Sequence, residues 1–256
     1  MLIPETVDEL SEIVRLRKPL HFLGGGSNLL IAEHDFDCVV NLRSFSCDLV
    51  DYGNGRFLVG ASVRLQKLIN LINERGRGGI EYLYSVPGCV GGAIVQNAGR
   101  GEAHHQSISD YVKKVNLIRE DGSIVSLTKE QCQFGHRDSY FKHHYGIVVS
   151  VIFEFPIVDK ETSRALKAER LAFCKREQDN SKPNFGSVFC KSDGKILGLF
   201  RLLGIGHRNA HFSRKTKNWI LNDGGTFADV LSTIEMAEKA HDLLRRDYKR
   251  EVVVWE

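Results

Sequence analysis

Apolar residues return at helical spacing in four stretches of this chain and cluster as strands between them. Within Glu5–Arg17 the positions Val7, Leu10, Ile13, Val14 and Leu16 form a stripe, acids occupy the first turn, and Pro19 lies just beyond, so a helix is predicted there. Val63–Arg75 repeats the pattern through Leu65, Leu68, Ile69 and Ile72 until Gly76, Gly78 and Gly79 stop it. Lys160–Glu177 is helical and heavily charged, and a further helix starting near Thr226 carries Val230, Leu231, Ile234, Ala237, Ala240 and Leu244 on one face. HFLGGGSNLLIA reads as strand, glycine turn, strand, and Cys38–Leu42 and Phe57–Val59 as strands, with DYGNG at 51–55 as a turn. Val112–Ile118 and Ile124–Leu127 flank EDGS at 120–123, whose Asp121-Gly122 pair predicts a hairpin, and Ile147–Phe155 makes that element three-stranded. The terminal REVVVW is a strand too short to stand alone, so it must pair with one laid down earlier. The polar REQDNSKPN stretch at 176–184 leads into a different unit, with a boundary expected near 155–165.

Composition narrows the class. With 256 residues, 42% hydrophobic, and a net charge of +3, the chain is an ordinary globular sequence, which excludes disorder as its main theme. The small, dispersed positive balance argues against nucleic acid as a partner. The longest apolar run, Gly146–Val158, is broken by Ser150, Glu154 and Pro156, short of the roughly 20 apolar residues of a membrane span. The acid-bearing start, MLIPETVDEL, does not look like a signal peptide, so a cytoplasmic protein is expected. Cys38, Cys47, Cys89, Cys132, Cys174 and Cys190 form no C-x-x-C pair and read as reduced thiols, and His136, His143 and His144 lack ligand-spaced carboxylates, so no metal is assigned.

Two glycine-rich segments hold the candidate chemistry. Gly24-Gly25-Gly26-Ser27-Asn28 frees the backbone so that several N–H groups can converge on an anion such as a pyrophosphate. It neither opens a helix as a G-x-G-x-x-G fingerprint does nor continues into Gly-Lys-Ser/Thr, and a plain glycine-rich hairpin is the competing reading. Ser85-Val86-Pro87-Gly88-Cys89-Val90-Gly91-Gly92-Ala93, followed by Asn97-Ala98-Gly99 and Gly101, lets the main chain pass close to something flat or phosphorylated; a tight helix-packing segment is the alternative.

LGGGSNLL, VPGCVGGAIVQNAG, FGHRDSYFK, FGSVF and a terminal REV follow one another in a single order, and together they resemble the UDP-N-acetylenolpyruvoylglucosamine reductase (MurB) family over nearly the whole chain, from about Glu5 to Trp255. The resemblance implies an α+β flavoenzyme of peptidoglycan precursor synthesis: an FAD-dependent oxidoreductase in which NADPH reduces the flavin and the flavin reduces the enolpyruvyl group of a UDP-sugar to give UDP-N-acetylmuramate. It implies FAD binding by Gly24, Gly25, Gly26, Ser27, Asn28, Leu29, Ser85, Val86, Pro87, Gly88, Gly91, Gly92, Ala93, Asn97, Ala98, Gly99 and Val149. Arg137 matches the family arginine beside the substrate carboxylate, Ser187 the serine that donates a proton, and Glu251 the glutamate on the other side of the intermediate. A guanidinium suits a carboxylate-conjugated carbanion because it keeps its charge and can bind bidentately.

By the same resemblance residues 1–160 form a two-part FAD-binding domain, 161–248 a smaller α+β substrate-binding domain, and 249–256 a C-terminal strand carrying Glu251. Arg176, Arg201, Arg208, Lys215 and Lys217 are candidate cations for the uridine diphosphate, and a monomer or weak homodimer is expected. The chain also departs from the family. His136 stands where a tyrosine usually precedes the arginine, Val253 replaces the arginine of E-V-R, Leu199-Phe200-Arg201 and Lys215-Thr216-Lys217-Asn218 replace the usual substrate-side motifs, and the family's segment before the first helix is short here. These changes fall on the substrate side, which leaves a flavin oxidoreductase for another nucleotide sugar, or a non-catalytic flavin or nucleotide-sugar binder, as alternatives.

Overall fold

The structure, a computed structural model, describes residues 1–16, 19–100 and 105–256. Arg17 and Gly101, both named above, lie outside the described residues. The chain forms two compact units, Met1–Gly26 with Phe36–Leu171, and Ser27–Asp35 with Ala172–Glu256. The division therefore falls at Leu171/Ala172, where a boundary was expected near 160, and a short N-terminal segment belongs to the C-terminal unit.

In the first unit α1 (Val7–Arg15) is capped by Thr6, whose hydroxyl accepts from the Glu9 N–H. It buries Leu10 and Val14 in a core shared with Val40, Phe45, Ile118, Ile147 and Val149. β1 (His21–Leu23) pairs in parallel with β3 (Val39–Asn41). The main sheet is antiparallel and five-stranded, β4 (Leu49–Gly53), β5 (Arg56–Gly60), β8 (Ile147–Glu154), β6 (Val112–Ile118) and β7 (Ile124–Thr128) in spatial order. It has two strands more than the three expected because β5, foreseen as a separate strand at Phe57–Val59, joins it and Leu49–Gly53 is also a strand: Asp51 to Gly53 extend it, and only Asn54 and Gly55, at φ of 51° and 82°, make the turn. The Asp121-Gly122 hairpin joins β6 and β7 as predicted, with Leu117 opposite Val125. α2 (Leu65–Glu74) presents the predicted face, Leu65, Leu68, Ile69 and Ile72, to the sheet core with Val59, Val151 and Phe153. Each such buried aliphatic side chain contributes about 1.5–3 kcal/mol. α4 (Lys160–Glu177) follows β8, after the short α3 (Val90–Val95) described below.

The second unit contains β2 (Leu29–Ile31), β9 (Phe189–Lys191), α5 (Gly194–Leu203), β10 (Ala210–Phe212), β11 (Ile220–Asn222), α6 (Phe227–Leu243), β12 (Lys249–Arg250) and β13 (Val253–Trp255). Asp193 caps α5 through bonds from Lys195 and Ile196 N–H, and Thr226 with Asp229 forms a capping box on α6. Val188, Leu197, Phe200, Phe212, Ile220, Val230, Ile234, Ala237 and Val252 fill its core. The glycine segment at 24–26 is consequently not a hairpin turn. β1 and β2 leave it for different partners, β2 pairing in parallel with β13. The terminal segment does pair with earlier strands, but with two of them, β12 running antiparallel to β9 before β13 joins β2. Among the described residues no helix is long and apolar enough to cross a membrane.

Candidate active site

The two glycine segments meet in the first unit. A Cβ on Gly25 would stand 3.6 Å from the Pro87 carbonyl oxygen and 3.7 Å from the Cys89 nitrogen. On Gly24 or Gly92 it would meet no atom within 4 Å, so these two backbones border open space. Gly26 adopts φ of 72°, which a side chain would strain. Gly91 differs from its neighbour: a Cβ there would lie 3.0 Å from that of Ala61, and its N–H donates to the Ala61 carbonyl at 2.8 Å. Only Gly91 is tightly packed; Gly25 meets the second segment at ordinary van der Waals distance, and the open space beside Gly24 and Gly92 leaves room for a ligand group next to the main chain. Arg43 adds a permanent cation, its Nε donating to the Gly24 carbonyl at 3.4 Å. No motif marks this arginine in the sequence.

The second segment is braced from outside. The Gln66 amide donates to the Tyr84 and Val86 carbonyls at 3.1 and 2.8 Å, and the Leu65 N–H to the Gly88 carbonyl at 3.1 Å. Arg170 Nε donates to Ser85 Oγ at 2.8 Å, and Lys167 Nζ sits 5.2 Å from the centre of the Tyr84 ring. Ser85 is thus held by α4. Val90–Val95 forms the short helix α3, absent from the predicted elements because its paired glycines are poor helix formers, and Ala93 and Val90 are buried in the core. Val149 is likewise a core residue, with its carbonyl accepting the Ala61 N–H at 2.8 Å.

Asn97 and Arg137 share a third structure of the first unit. Asn97, buried and at φ of 43°, donates its amide to the Gly135 carbonyl at 2.7 Å and accepts from the Ser109 N–H at 3.4 Å. Arg137, at φ of 52°, donates from its two terminal nitrogens to the carbonyls of Asn97 and Gly99 at 3.4 and 2.8 Å. Lys142 Nζ reaches the Arg137 carbonyl at 3.0 Å and Gln96 Oε1 at 2.8 Å, and Ser139 Oγ donates to Val95 at 2.7 Å. Ala98 is fastened by its carbonyl, which accepts from Ile108 at 2.8 Å. Burial drives the nearby Tyr82 phenol above its ordinary range, with the charge of Arg137 acting the other way. His136 is exposed.

Ser187 and Glu251 belong to the second unit and lie on adjacent segments: the Glu251 N–H donates at 2.7 Å to the carbonyl of Val188, next to Ser187. Ser187 itself pairs with Trp219. Asn28, expected at the cofactor, donates its amide to the Glu251 carbonyl at 3.0 Å and accepts from the Val253 N–H at 3.1 Å, with Leu29 opposite Val253. Ser27 is the first residue of this unit. Asn218 bonds both backbone groups of Phe189, at 3.1 and 2.7 Å, extending the ladder by a side chain. Two of the five candidate cations are neighbours, since Lys215 Nζ bonds the carbonyl of the residue before Arg176. Arg176 pairs with Glu177 at 2.6 Å, Lys215 Nζ donates to the Lys175 carbonyl at 3.0 Å, Lys217 Nζ stands 3.0 Å from a Cβ built on Gly194 at the start of α5, Arg201 occupies the last turn of that helix, and Arg208 is exposed ahead of β10. Among the described residues no group of three His, Cys, Asp or Glu side chains could hold a metal ion.

Residues 1–128 match the family model of an FAD binding domain. Over its whole length the chain is 31% identical to the UDP-N-acetylenolpyruvoylglucosamine reductase of Thermotoga maritima, covering 91% of that protein. It is 29% identical to the reductase of the same name from Bacillus subtilis, with 93% of this chain and 81% of that one covered. The crystal structure of the corresponding enzyme from Thermus caldophilus superposes with a TM-score of 0.81 at 26% identity, covering 99% of this chain and 91% of that one.

Proposed function

The chain belongs to the UDP-N-acetylenolpyruvoylglucosamine reductase family, and from that premise we propose how its own residues divide the work of an FAD-dependent, NADPH-driven reduction of an enolpyruvyl UDP-N-acetylglucosamine. The observation that carries the reading is the meeting of the two glycine segments with bare backbone at Gly24 and Gly92. FAD held at Gly24–Gly26 and Pro87–Gly92 would supply the hydride chemistry that links NADPH to the enolpyruvyl double bond.

The first unit is the flavin-binding domain. Gly24–Gly26 and Pro87–Gly92 hold the diphosphate, and Arg43 offsets part of its charge. Arg137 neutralises the substrate carboxylate and the negative charge that grows on it once hydride has added to the neighbouring carbon, and its bonds to Asn97 and Gly99 keep that charge from swinging away. The second unit is the substrate domain. Ser187 gives the proton of its hydroxyl to the carbon left as a carbanion, and Glu251, on the adjoining segment, polarises the intermediate from the other side. Arg176, Arg201, Arg208, Lys215 and Lys217 supply cations from which the uridine diphosphate takes its partners. The enzyme works in the cytoplasm, a reading supported by its six free thiols and by charged substrates that do not cross a bilayer unaided, and it acts as a monomer or weak homodimer.

The test is a spectrum followed by two half-reactions. The purified protein should show the two flavin bands, lose them on anaerobic addition of NADPH, and regain them when the enolpyruvyl UDP-sugar is added. Bleaching without recovery would leave the flavin reading standing and transfer the reaction to another nucleotide sugar. A colourless protein that takes up no FAD would end both.

A further inference from the structure

We infer that the ion pair between Arg250 and Glu238 is a positioning device for Glu251, an inference that rests on the catalytic reading of Glu251 given above. Glu251 lies where the C-terminal segment changes partner, between β12 on β9 and β13 on β2. The regular ladder is lost at this crossing. Glu251 and Val252 both direct their N–H groups to one acceptor, the Val188 carbonyl, at 2.7 and 3.4 Å, and the register with β9 shifts between Lys249 and Arg250. A segment without a ladder of its own has little to decide which face each side chain takes, and a slip of one residue sends it to the other face.

Arg250 adds a side-chain constraint next to Glu251. Its Nε and terminal nitrogen donate to the two carboxylate oxygens of Glu238, on α6, at 2.9 and 2.8 Å. The two side chains are only 29% and 15% exposed, so the pair is screened less than a surface salt bridge. A two-pronged bond of this kind fixes orientation as well as distance, which an ammonium cannot do. Val252, on the other side of Glu251, is buried in the core that holds Val230, Ile234 and Ala237 of α6. Glu251 therefore stands between two anchored residues, and Asn28 holds its carbonyl at 3.0 Å. Removal of the fork releases one anchor and lets the carboxylate move relative to the reacting carbon.

The experiment uses the holoenzyme, reduced anaerobically with NADPH and then mixed with the enolpyruvyl UDP-sugar in a stopped-flow instrument at the flavin absorbance. The variants are Arg250→Gln, Arg250→Lys, Glu238→Gln, Glu251→Gln and the double Arg250→Gln/Glu251→Gln. Misplacement of a catalytic group by about 1 Å costs up to about 100-fold, so Arg250→Gln should slow limiting reoxidation about 10- to 100-fold, with flavin affinity and reduction by NADPH unchanged. Arg250→Lys should recover only part of the rate. The deciding comparison is the double variant, which should be no slower than Glu251→Gln alone, because the pair acts only through Glu251. Equal slowing of both half-reactions, or an Arg250→Gln effect that persists in the Glu251→Gln background, would mean a general structural role and overturn the inference, as would a wild-type rate in Arg250→Gln. Glu238→Gln, which keeps the volume and one hydrogen bond, carries the same comparison if Arg250→Gln does not fold. If Glu251→Gln itself reoxidises at the wild-type rate, the catalytic reading of Glu251 is what fails.

Discussion

The side-chain amide of Asn97 donates to the carbonyl of Gly135 at 2.7 Å, and this bond joins the turn after α3 to the loop that carries Arg137. Asn97→Ala removes it, takes from the buried Ser109 N–H its side-chain acceptor, and places alanine at φ of 43°. A buried group left unpaired costs about 1–3 kcal/mol, and urea unfolding should show a loss of that order. Reoxidation by substrate should slow as well, since the main chain beneath Arg137 is loosened.

Adjacent glycines of the second segment should separate structure from binding. Gly92→Val places its side chain in open space, so apoprotein melting should stay near wild type while FAD titration shows weakened uptake. Gly91→Val drives atoms into Ala61, and overpacking of that kind costs about 1–3 kcal/mol. It should therefore lower the melting temperature of the apoprotein too. Undiminished flavin affinity in Gly92→Val would show that the open space beside Gly92 is not where the diphosphate lies.

Ser187→Ala should leave flavin reduction by NADPH near normal and slow reoxidation about 10²- to 10⁴-fold, the range of general acid catalysis. Arg137→Ala should slow the same step and also raise the substrate concentration needed for half-maximal rate, because its charge serves bound carboxylate and transition state alike. Stopped-flow absorbance separates the steps. Unchanged reoxidation in Ser187→Ala would remove the serine as the acid.

Acid should weaken the second unit through its capping aspartates. Backbone and side-chain bonds from Thr226 hold the Asp229 carboxyl below its ordinary 3.8, and bonds from the N–H groups of Lys195 and Ile196 do the same for Asp193. A carboxyl whose folded pKa is depressed contributes stability above its unfolded pKa and loses it as pH falls through the folded value. Urea midpoints followed by circular dichroism should thus fall below about pH 4, and Asp229→Asn, which can still accept from Thr226, should flatten that fall.

Thiol reactivity should rank by burial. Cys132 is buried and its thiol is pushed up to about 12 by desolvation, whereas Cys47 is exposed. Iodoacetamide at pH 8 followed by peptide mass mapping should find Cys47 alkylated in the native protein and Cys132 only after denaturation.

Local spacing alone was enough to determine the apolar face of α2, those of α1 and α6 except for Leu16 and Leu244, which cap the helix C-termini and are exposed, the Asp121-Gly122 hairpin, and the ordered glycine motifs that point to a flavin and its family, because each of these signals is written within a few consecutive residues. Which strands pair was beyond it. β1 and β2 flank three glycines that look like a hairpin turn, yet their partners are β3 and a strand more than two hundred residues away. The same holds within the site. Gly91 and Gly92 are chemically identical, and only Ala61 packed against one of them makes it structural. Gln66 and Arg170 resemble any polar residues on a helix surface until the loop at Tyr84–Val86 is folded against them. Asn28 stands in a motif expected to hold the cofactor, and its tie to Glu251 exists only because β2 and β13 lie side by side. Side-chain periodicity reports how a segment divides its faces, whereas the identity of the neighbour across each face depends on loop closure and burial over the whole chain, which tertiary packing alone decides.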